Sequence, residues 1–377
     1  MTVLKSNYCL TITADTSDQK RGFVVEDLLN NVRYDIDGID RLASVLDFGT
    51  TWKSRDSYKQ YLIDEFDVSV SDAESAVDQF VENDFLVTPD SRPVTVESSI
   101  REWEEYGWGH AADYYLSIYD FPFNNYTSTE GIEYDDAKMA QYEAEETPPD
   151  IYKHYPEAET VSLPEPSLDP EVTVGAGFEY WVNRDENGMR TESPSAAFAS
   201  NLLYYTVGAL NSDENPEEEA TGTLRKAVPS GGARHPIETY VLIEDVDGVP
   251  EGLYHYSDQN HHLSLLDETI DIDDLEAHIP ELSGYNRTRS IVLLYTASLD
   301  RSMWRYREPR TYSVVHNDLG HIVETMRIIS NSHGRAFQCN FGFDAEAVED
   351  LLEIDGFEEP LLAFGAVYTV DDSFEQE

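Results

Sequence analysis

The sequence predicts an α+β protein, a central mixed or antiparallel sheet flanked by helices, preceded by a small winged-helix-like domain. Three observations predict it. In residues 1–95, three short stretches with apolar residues at helical spacing lead into Phe85-Leu86-Val87, which reads as a strand. From about residue 175, strand-like runs alternate with helical ones. One long amphipathic stretch, Tyr312–His333, stops at Gly334, a common helix terminator.

In residues 1–95, Ile36, Ile39 and Leu42 recur at helical spacing, as do Tyr58, Leu62 and Phe66. Ser71 and Glu74 form a capping-box pattern ahead of Ala76, Val77 and Phe80. A winged helix suggests DNA, but this segment carries 9 basic and 18 acidic residues, which opposes phosphate contact. Peptide binding by strand addition and a structural or dimerising arm both stay open.

Residues 96–174 read as an aromatic, Pro-rich connector. Trp103–Trp108, Tyr114-Tyr115 and Tyr119–Phe123 show no clean period, yet so many aromatics imply a segment that packs on something. Pro148-Pro149, Pro156, Pro164, Pro166 and Pro170 mark its extended end.

In residues 175–377, Ser193-Pro194 predicts a helix start with Pro at the first position, carrying Phe198, Leu202, Tyr205 and Ala209 on one face. Strands are expected at Thr239–Ile243, Gly252–Tyr256, His262–Leu266 and Ile291–Tyr295, the middle pair as a hairpin. The long helix buries Leu319, Ile322, Val323, Met326 and Ile329. Phe337, Cys339 and Phe341 alternate as a strand, Asp344 caps a last helix, and Leu361–Val370 is the final strand.

Composition narrows the function. The 377 residues carry 75 acidic and 25 basic side chains, a net charge of −50, with 18 Arg against 7 Lys. At 40% hydrophobic, the chain is too apolar for a disordered acidic protein, so the charge lies on a folded surface. Such a surface fits a halophile's cytoplasm, where salt screens self-repulsion. It opposes binding to nucleic acid or anionic membrane. Cys9 and Cys339 lie far apart, and no HExxH or other metal pair occurs, so no metal is expected. The N-terminal MTVLKSNYCLTITAD lacks a signal-peptide core, and Ser290–Leu299 is too short to span a bilayer. A cytoplasmic protein is expected.

Three stretches could carry chemistry. The first is Arg225-Lys226-Ala227-Val228-Pro229-Ser230-Gly231-Gly232-Ala233-Arg234-His235-Pro236. Paired glycines let backbone N–H groups approach a flat or anionic ligand, Ser230 adds a hydroxyl, and Arg225 and Arg234 add positive charge. A flavin needs this combination, although a plain loop is the commoner meaning of Gly-Gly. The second is a basic patch, with Arg287, Arg289, Arg301, Arg305, Arg307 and Arg310 within 24 residues. Ion pairing to nearby carboxylates is its plainer meaning, an anionic ligand the sharper one. Tyr306, between two arginines, would suit a general acid/base or a buried structural role. The third is Asp318-Leu319-Gly320-His321, where a His beside an apolar stripe is more often structural than catalytic. GxGxxG is absent.

These stretches, with Gly252-Leu253-Tyr254-His255-Tyr256, Trp304–Tyr312 and Gly342-Phe343-Asp344…Asp355-Gly356, resemble the SagB-type dehydrogenases of the nitroreductase-like superfamily over about residues 100–370. The N-terminal domain is similar, more weakly, to the PqqD-like winged helix that grips leader peptides. The resemblance implies a nitroreductase-like sandwich that dimerises and holds one FMN per active site. It implies dehydrogenation of azoline rings on a ribosomal peptide, with a cyclodehydratase as partner and dioxygen as electron acceptor. Pro229, Ser230, Gly231 and Gly232 would line the flavin ring, with Arg234 in the same loop and Arg225 near the phosphate. Two departures stand out. The family's Arg-x-Ser-x-Arg phosphate motif is not intact, Arg184 and Arg190 being the nearest substitutes. A Lys-Tyr pair of azoline oxidases corresponds here to Arg305-Tyr306, the implied catalytic pair. An NAD(P)H-dependent reductase of a small electrophile and a flavin-free peptide-binding scaffold are the alternatives.

Overall fold

The computed structural model describes residues 2–15, 22–36, 39–120, 124–167, 172–187, 191–210, 223–283 and 287–370. The chain divides into two compact units, Met1–Gly131 and Ile132–Glu377.

In the first unit, strand β1 (Val3–Ser6) is followed by β2 (Leu10–Asp15), β3 (Gly22–Asp27) and β4 (Val32–Ile36), then helix α1 (Ile39–Phe48). Strand β5 (Lys53–Ser54), helices α2 (Arg55–Phe66) and α3 (Val70–Glu82), and strand β6 (Leu86–Val87) complete the expected run of three helices and a strand. β1 lies between β5 and β6, both antiparallel to it. Leu4, Val45, Tyr58, Leu62, Ala73, Val77 and Leu86 form the core beneath them. The N-cap of α3 is Ser69, whose side chain accepts from the Asp72 amide, so the helix starts before the expected Ser71. Strands β2, β3 and β4 form a separate antiparallel meander that the helical spacing of Ile36, Ile39 and Leu42 concealed, because Ile36 ends a strand and Ile39 begins a helix.

The aromatic stretch expected as a connector is helical. Helices α4 (Arg92–Glu105) and α5 (Gly109–Tyr119) place Ile100, Ala112 and Leu116, with half-buried Trp103, against Cys9 and Leu29. The aromatics pack, as expected, but on a helical scaffold. A further helix, α6 (Thr129–Glu145), follows.

The second unit is built on one seven-stranded sheet. Strand β7 (Thr160–Ser162) precedes helices α7 (Val174–Asn187) and α8 (Ala196–Val207). Ser195 caps α8, two residues beyond the start expected at Ser193-Pro194. Strands β8 (Ile237–Ile243), β9 (Gly252–Ser257) and β10 (His262–Asp267) lead to short helices α9 (Ile272–Glu276) and α10 (Pro280–Ser283). Then come β11 (Arg287–Ala297), α11 (Leu299–Arg305), the long helix α12 (Arg310–Ser332), β12 (Ala336–Asn340), α13 (Ala345–Leu351) and β13 (Leu361–Val370). The sheet order is β12-β13-β11-β8-β9-β10-β7, and every described pair is antiparallel. The β9–β10 hairpin is as expected.

Both faces of the sheet are covered. Alternate residues Val241, Ile243, Ile291, Leu293 and Tyr295 face α8 and the long helix, whose Val315, Leu319, Ile322 and Met326 recur at three- and four-residue intervals. Their neighbours Tyr240, Leu242, Val292 and Leu294 face Leu275, Leu282 and Val348 of α9, α10 and α13. Full burial of each aliphatic side chain contributes about 1.5–3 kcal/mol. This layered, α+β sandwich positions the long helix across the sheet and leaves the 225–236 loop beside it.

Candidate functional site

The loop that enters β8 is held by the long helix. The Asp318 carboxylate accepts from the Ser230 hydroxyl at 2.6 Å and from the Gly231 amide at 3.0 Å. The Ser230 oxygen in turn accepts the His235 amide at 2.9 Å, and the Ala233 amide donates to the Ser230 carbonyl at 3.1 Å. One helical turn from Asp318, His321 donates from Nδ1 to the Pro229 carbonyl at 3.1 Å. Asp318 is 4% exposed. Burial pushes its carboxyl above the usual carboxylate range, and the Ser230 and Gly231 donors pull against that shift.

Within the loop, Gly232, Ala233 and His235 have φ of +63°, +54° and +46°. For Ala233 and His235 this conformation costs on the order of 1–3 kcal/mol each. The local hydrogen bonds offset that cost. Gly232 is exposed, and its amide has no partner among the described residues. The Tyr306 phenol lies so close over Gly232 that a methyl group there would overlap the ring.

Tyr306 draws two of the expected arginines together. Arg234, buried, hydrogen-bonds the Tyr306 side chain, and burial lowers its pKa from the ordinary guanidinium value. Arg305 stacks its guanidinium 4.8 Å from the Tyr306 ring centre and donates to Asp135 at 2.5 Å. Tyr306 also lines an apolar-walled cavity of about 450 Å³, with Leu299, Met303, Pro309, Tyr312 and Val315 among its walls. That is within the size range of small-molecule sites.

The other expected residues are placed less fully. Pro229 and Arg225 are exposed at the start of the loop, and the Arg225 carbonyl accepts the Leu210 amide. Arg184 falls within α7, but its side chain lies outside the described residues, as does Arg190 entirely.

The arginine patch follows its plainer meaning at four positions. Arg289 pairs with Glu276, Arg301 with Glu238, Arg305 with Asp135, and Arg307 with Glu145 and Glu146. Arg301 and Glu238 are both 5% exposed at their side chains, 2.6 Å apart. Burial alone would raise the Glu238 pKa, but Arg301 and then His255 outweigh it and hold the carboxyl well below its usual range.

Sequence reasoning named Asp318 without its partner and missed Asp135. Asp318 was noticed only as part of a helical motif, and its partner is 88 residues away. Asp135 is 170 residues from Arg305 and carries no local signal.

A profile of the nitroreductase family matches residues 209–367. A protein of Methanocaldococcus jannaschii that carries the nitroreductase name is 31% identical over 138 residues, 36% of this chain and 67% of that protein. The chain belongs to the nitroreductase family. The trifolitoxin-processing protein TfxB of Rhizobium leguminosarum bv. trifolii is 40% identical over 155 residues, 40% of this chain and 41% of that protein. The chain thus spans about two fifths of that relative's length. Among solved structures, the E. coli microcin synthetase McbBCD complex with truncated pro-MccB17 bound matches 58% of this chain and 80% of that one. That match has 17% identity and a TM-score of 0.40.

The residues present fit a flavin in part. Gly232 offers an amide that has no partner among the described residues and no Cβ in the way, and two guanidinium groups lie beside the same spot through Tyr306. The amides of Gly231, Ala233 and His235 already have protein partners, so they are not available to a flavin ring, and the exposed Gly232 amide is a ring donor the loop could offer. Among the described residues no group of His, Cys, Asp and Glu could hold a metal ion. No described helix is long and apolar enough to cross a membrane.

Proposed function

We propose that this nitroreductase-family chain is an FMN-dependent dehydrogenase of the SagB type that oxidises azoline rings on a ribosomally made peptide. The observation that carries the reading is the convergence of Tyr306, Arg234 and Arg305 on the exposed Gly232, beside an apolar cavity. A relative named for trifolitoxin processing is in keeping with a substrate matured after synthesis.

Bound FMN would supply the two-electron acceptor. The chain's own residues would divide the rest. Pro229, Ser230, Gly231 and Gly232 would shape the surface under the ring, with the Gly232 amide as the donor. Arg225, Arg184 and Arg190 would hold the phosphate. Tyr306 would exchange the proton at the substrate ring carbon through its hydroxyl. Arg305 stays charged and is a poor proton acceptor, so it would act electrostatically on Tyr306 while Asp135 fixes its position. The apolar cavity would exclude water around Tyr306.

The first unit would recruit the peptide by strand addition, since β2 and β4 are the edges of its meander and Ile12 on β2 is exposed. A homodimer, a cyclodehydratase partner, a cytoplasmic location and a high-salt origin complete the reading, the last supported by the net charge of −50.

The test is an absorption spectrum of protein purified in high salt, with mass analysis of the released cofactor. Yellow protein carrying FMN is expected. Tyr306→Phe should keep FMN and lose about 10²–10⁴-fold in turnover. Gly232→Ala should lose FMN. A colourless protein that takes up no FMN overturns the reading and favours a peptide-binding scaffold. Rapid bleaching of the flavin by NAD(P)H favours a reductase of a small electrophile.

A further inference from the structure

The conformation of residues 229–235 is costly by itself. Three of its residues occupy the left-handed region, and two of them, Ala233 and His235, carry a Cβ. Such a backbone persists only where its surroundings over-determine it. Here the long helix supplies the fastening of the first half of the loop, while the Leu224 amide donates to the Ala233 carbonyl at 2.9 Å and Arg234 bonds Tyr306. Asp318 takes both the Ser230 hydroxyl and the Gly231 amide, and the same Ser230 oxygen takes the His235 amide across the turn. A chain of hydrogen bonds thus runs from the helix through Ser230 to the far end of the loop. His321, one turn along, fastens the Pro229 carbonyl. Between the fastened points lies Gly232, exposed and with its amide unclaimed among the described residues.

We infer that Asp318 is a positioning residue: its carboxylate holds the Ser230–His235 loop in the strained shape that presents the Gly232 amide, with His321 as a second anchor. Asp318 touches no ligand in this scheme and acts only through Ser230 and Gly231. The inference rests on the proposed flavin role of the loop, but the shape of the loop can be tested without any flavin.

Two features make a carboxylate the suitable group. It only accepts, so the two protein donors meet two acceptor oxygens without conflict. It is also buried, which strengthens hydrogen bonds to it. Asp318→Asn keeps the shape but turns one acceptor into a donor facing the Ser230 hydroxyl. Ser230→Ala removes the link to His235 and leaves Asp318 intact.

The experiment compares wild type, Asp318→Asn, Ser230→Ala and the double variant as full-length chains. Hydrogen–deuterium exchange of the cofactor-free proteins reads the loop, and titration with FMN reads the site through flavin fluorescence and the visible circular dichroism of the bound ring. In Asp318→Asn, exchange of peptides covering 229–236 should quicken at least about 10-fold while β8 and β11 stay protected. FMN affinity should fall by about 10-fold or more, and the visible circular dichroism of the remaining complex should change. The double variant should be little worse than either single one, because both cut the same chain of hydrogen bonds. Unchanged loop exchange in both single variants overturns the inference, as does loop loosening with unaltered FMN affinity and spectrum. If Asp318→Asn loosens the whole unit, Ser230→Ala decides by the same criteria. Wild type that fails to bind FMN removes the flavin reading, and the exchange data still decide whether Asp318 holds the loop.

Discussion

The glycine loop at 225–236 and the arginine-rich stretch at 287–310 are the two places where sequence concentrates chemistry, and they meet different fates in the fold. The loop keeps at Gly232 an exposed amide with no partner among the described residues, because its neighbours are fastened from the long helix by Asp318 and His321. The arginines at 289, 301, 305 and 307 are each taken by a carboxylate. With three acidic residues to each basic one, a cation in this chain meets an anion before it meets a ligand. A cluster of like charges in a strongly biased sequence is thus weaker evidence of a site than a backbone whose geometry is costly. Arg305 joins the two regions, since its ion pair to Asp135 leaves its flat face on the Tyr306 ring.

The contrast can be broken most forcefully at Arg301. Arg301→Met leaves Glu238 buried beside His255 without its guanidinium, and should cost about 3–5 kcal/mol in urea unfolding. A loss below about 1 kcal/mol would mean that the buried arginine has no structural hold on the sheet. His235, at the end of the loop, gives the next effect. Burial, and then Lys226, push its imidazole down from 6.5 to about 3. The unfolded chain therefore takes up the proton near pH 6.5 and the folded chain only near pH 3. Stability from this group is complete above about pH 6.5 and falls as pH drops toward 3, by about 1.4 kcal/mol per unit. His235→Gln should flatten that part of the stability–pH curve, and an unchanged slope would assign it to the carboxylates. The smallest effect belongs to Arg307, half-exposed and paired to Glu145 and Glu146 at the surface. Arg307→Gln should move the melting temperature by no more than roughly 2 °C at 2 M KCl. Wild type itself should melt at a clearly higher temperature in 2 M than in 0.1 M KCl, and equal melting would count against a high-salt origin.

Legibility followed the range of the interaction. β13 runs over Leu361–Val370 as read, β8 to β11 lie within a few residues of their expected bounds, and Gly334 follows the long helix with φ of +70°. The meander β2–β4 was missed although Leu10, Thr11, Ile12 and Thr13 alternate as a strand does, because the helical spacing of Ile36, Ile39 and Leu42 runs across its end. The helices at 92–119 were missed because their aromatics point to several neighbours instead of one stripe. In the site, Ser230, Gly232, Arg234, Arg305 and Tyr306 were all named from the sequence, yet nothing local said that Tyr306 would cover Gly232.

The sequence by itself determined the α+β class, most element boundaries of the second unit and the acidic surface, since these depend on periodicity, caps and composition within a few residues. Only the tertiary structure decided which carboxylate met which cation, and that Asp318 would grip a loop 88 residues earlier. Such pairings depend on where packed helices and strands bring side chains in space, and contact at that range leaves no periodic trace in a single chain.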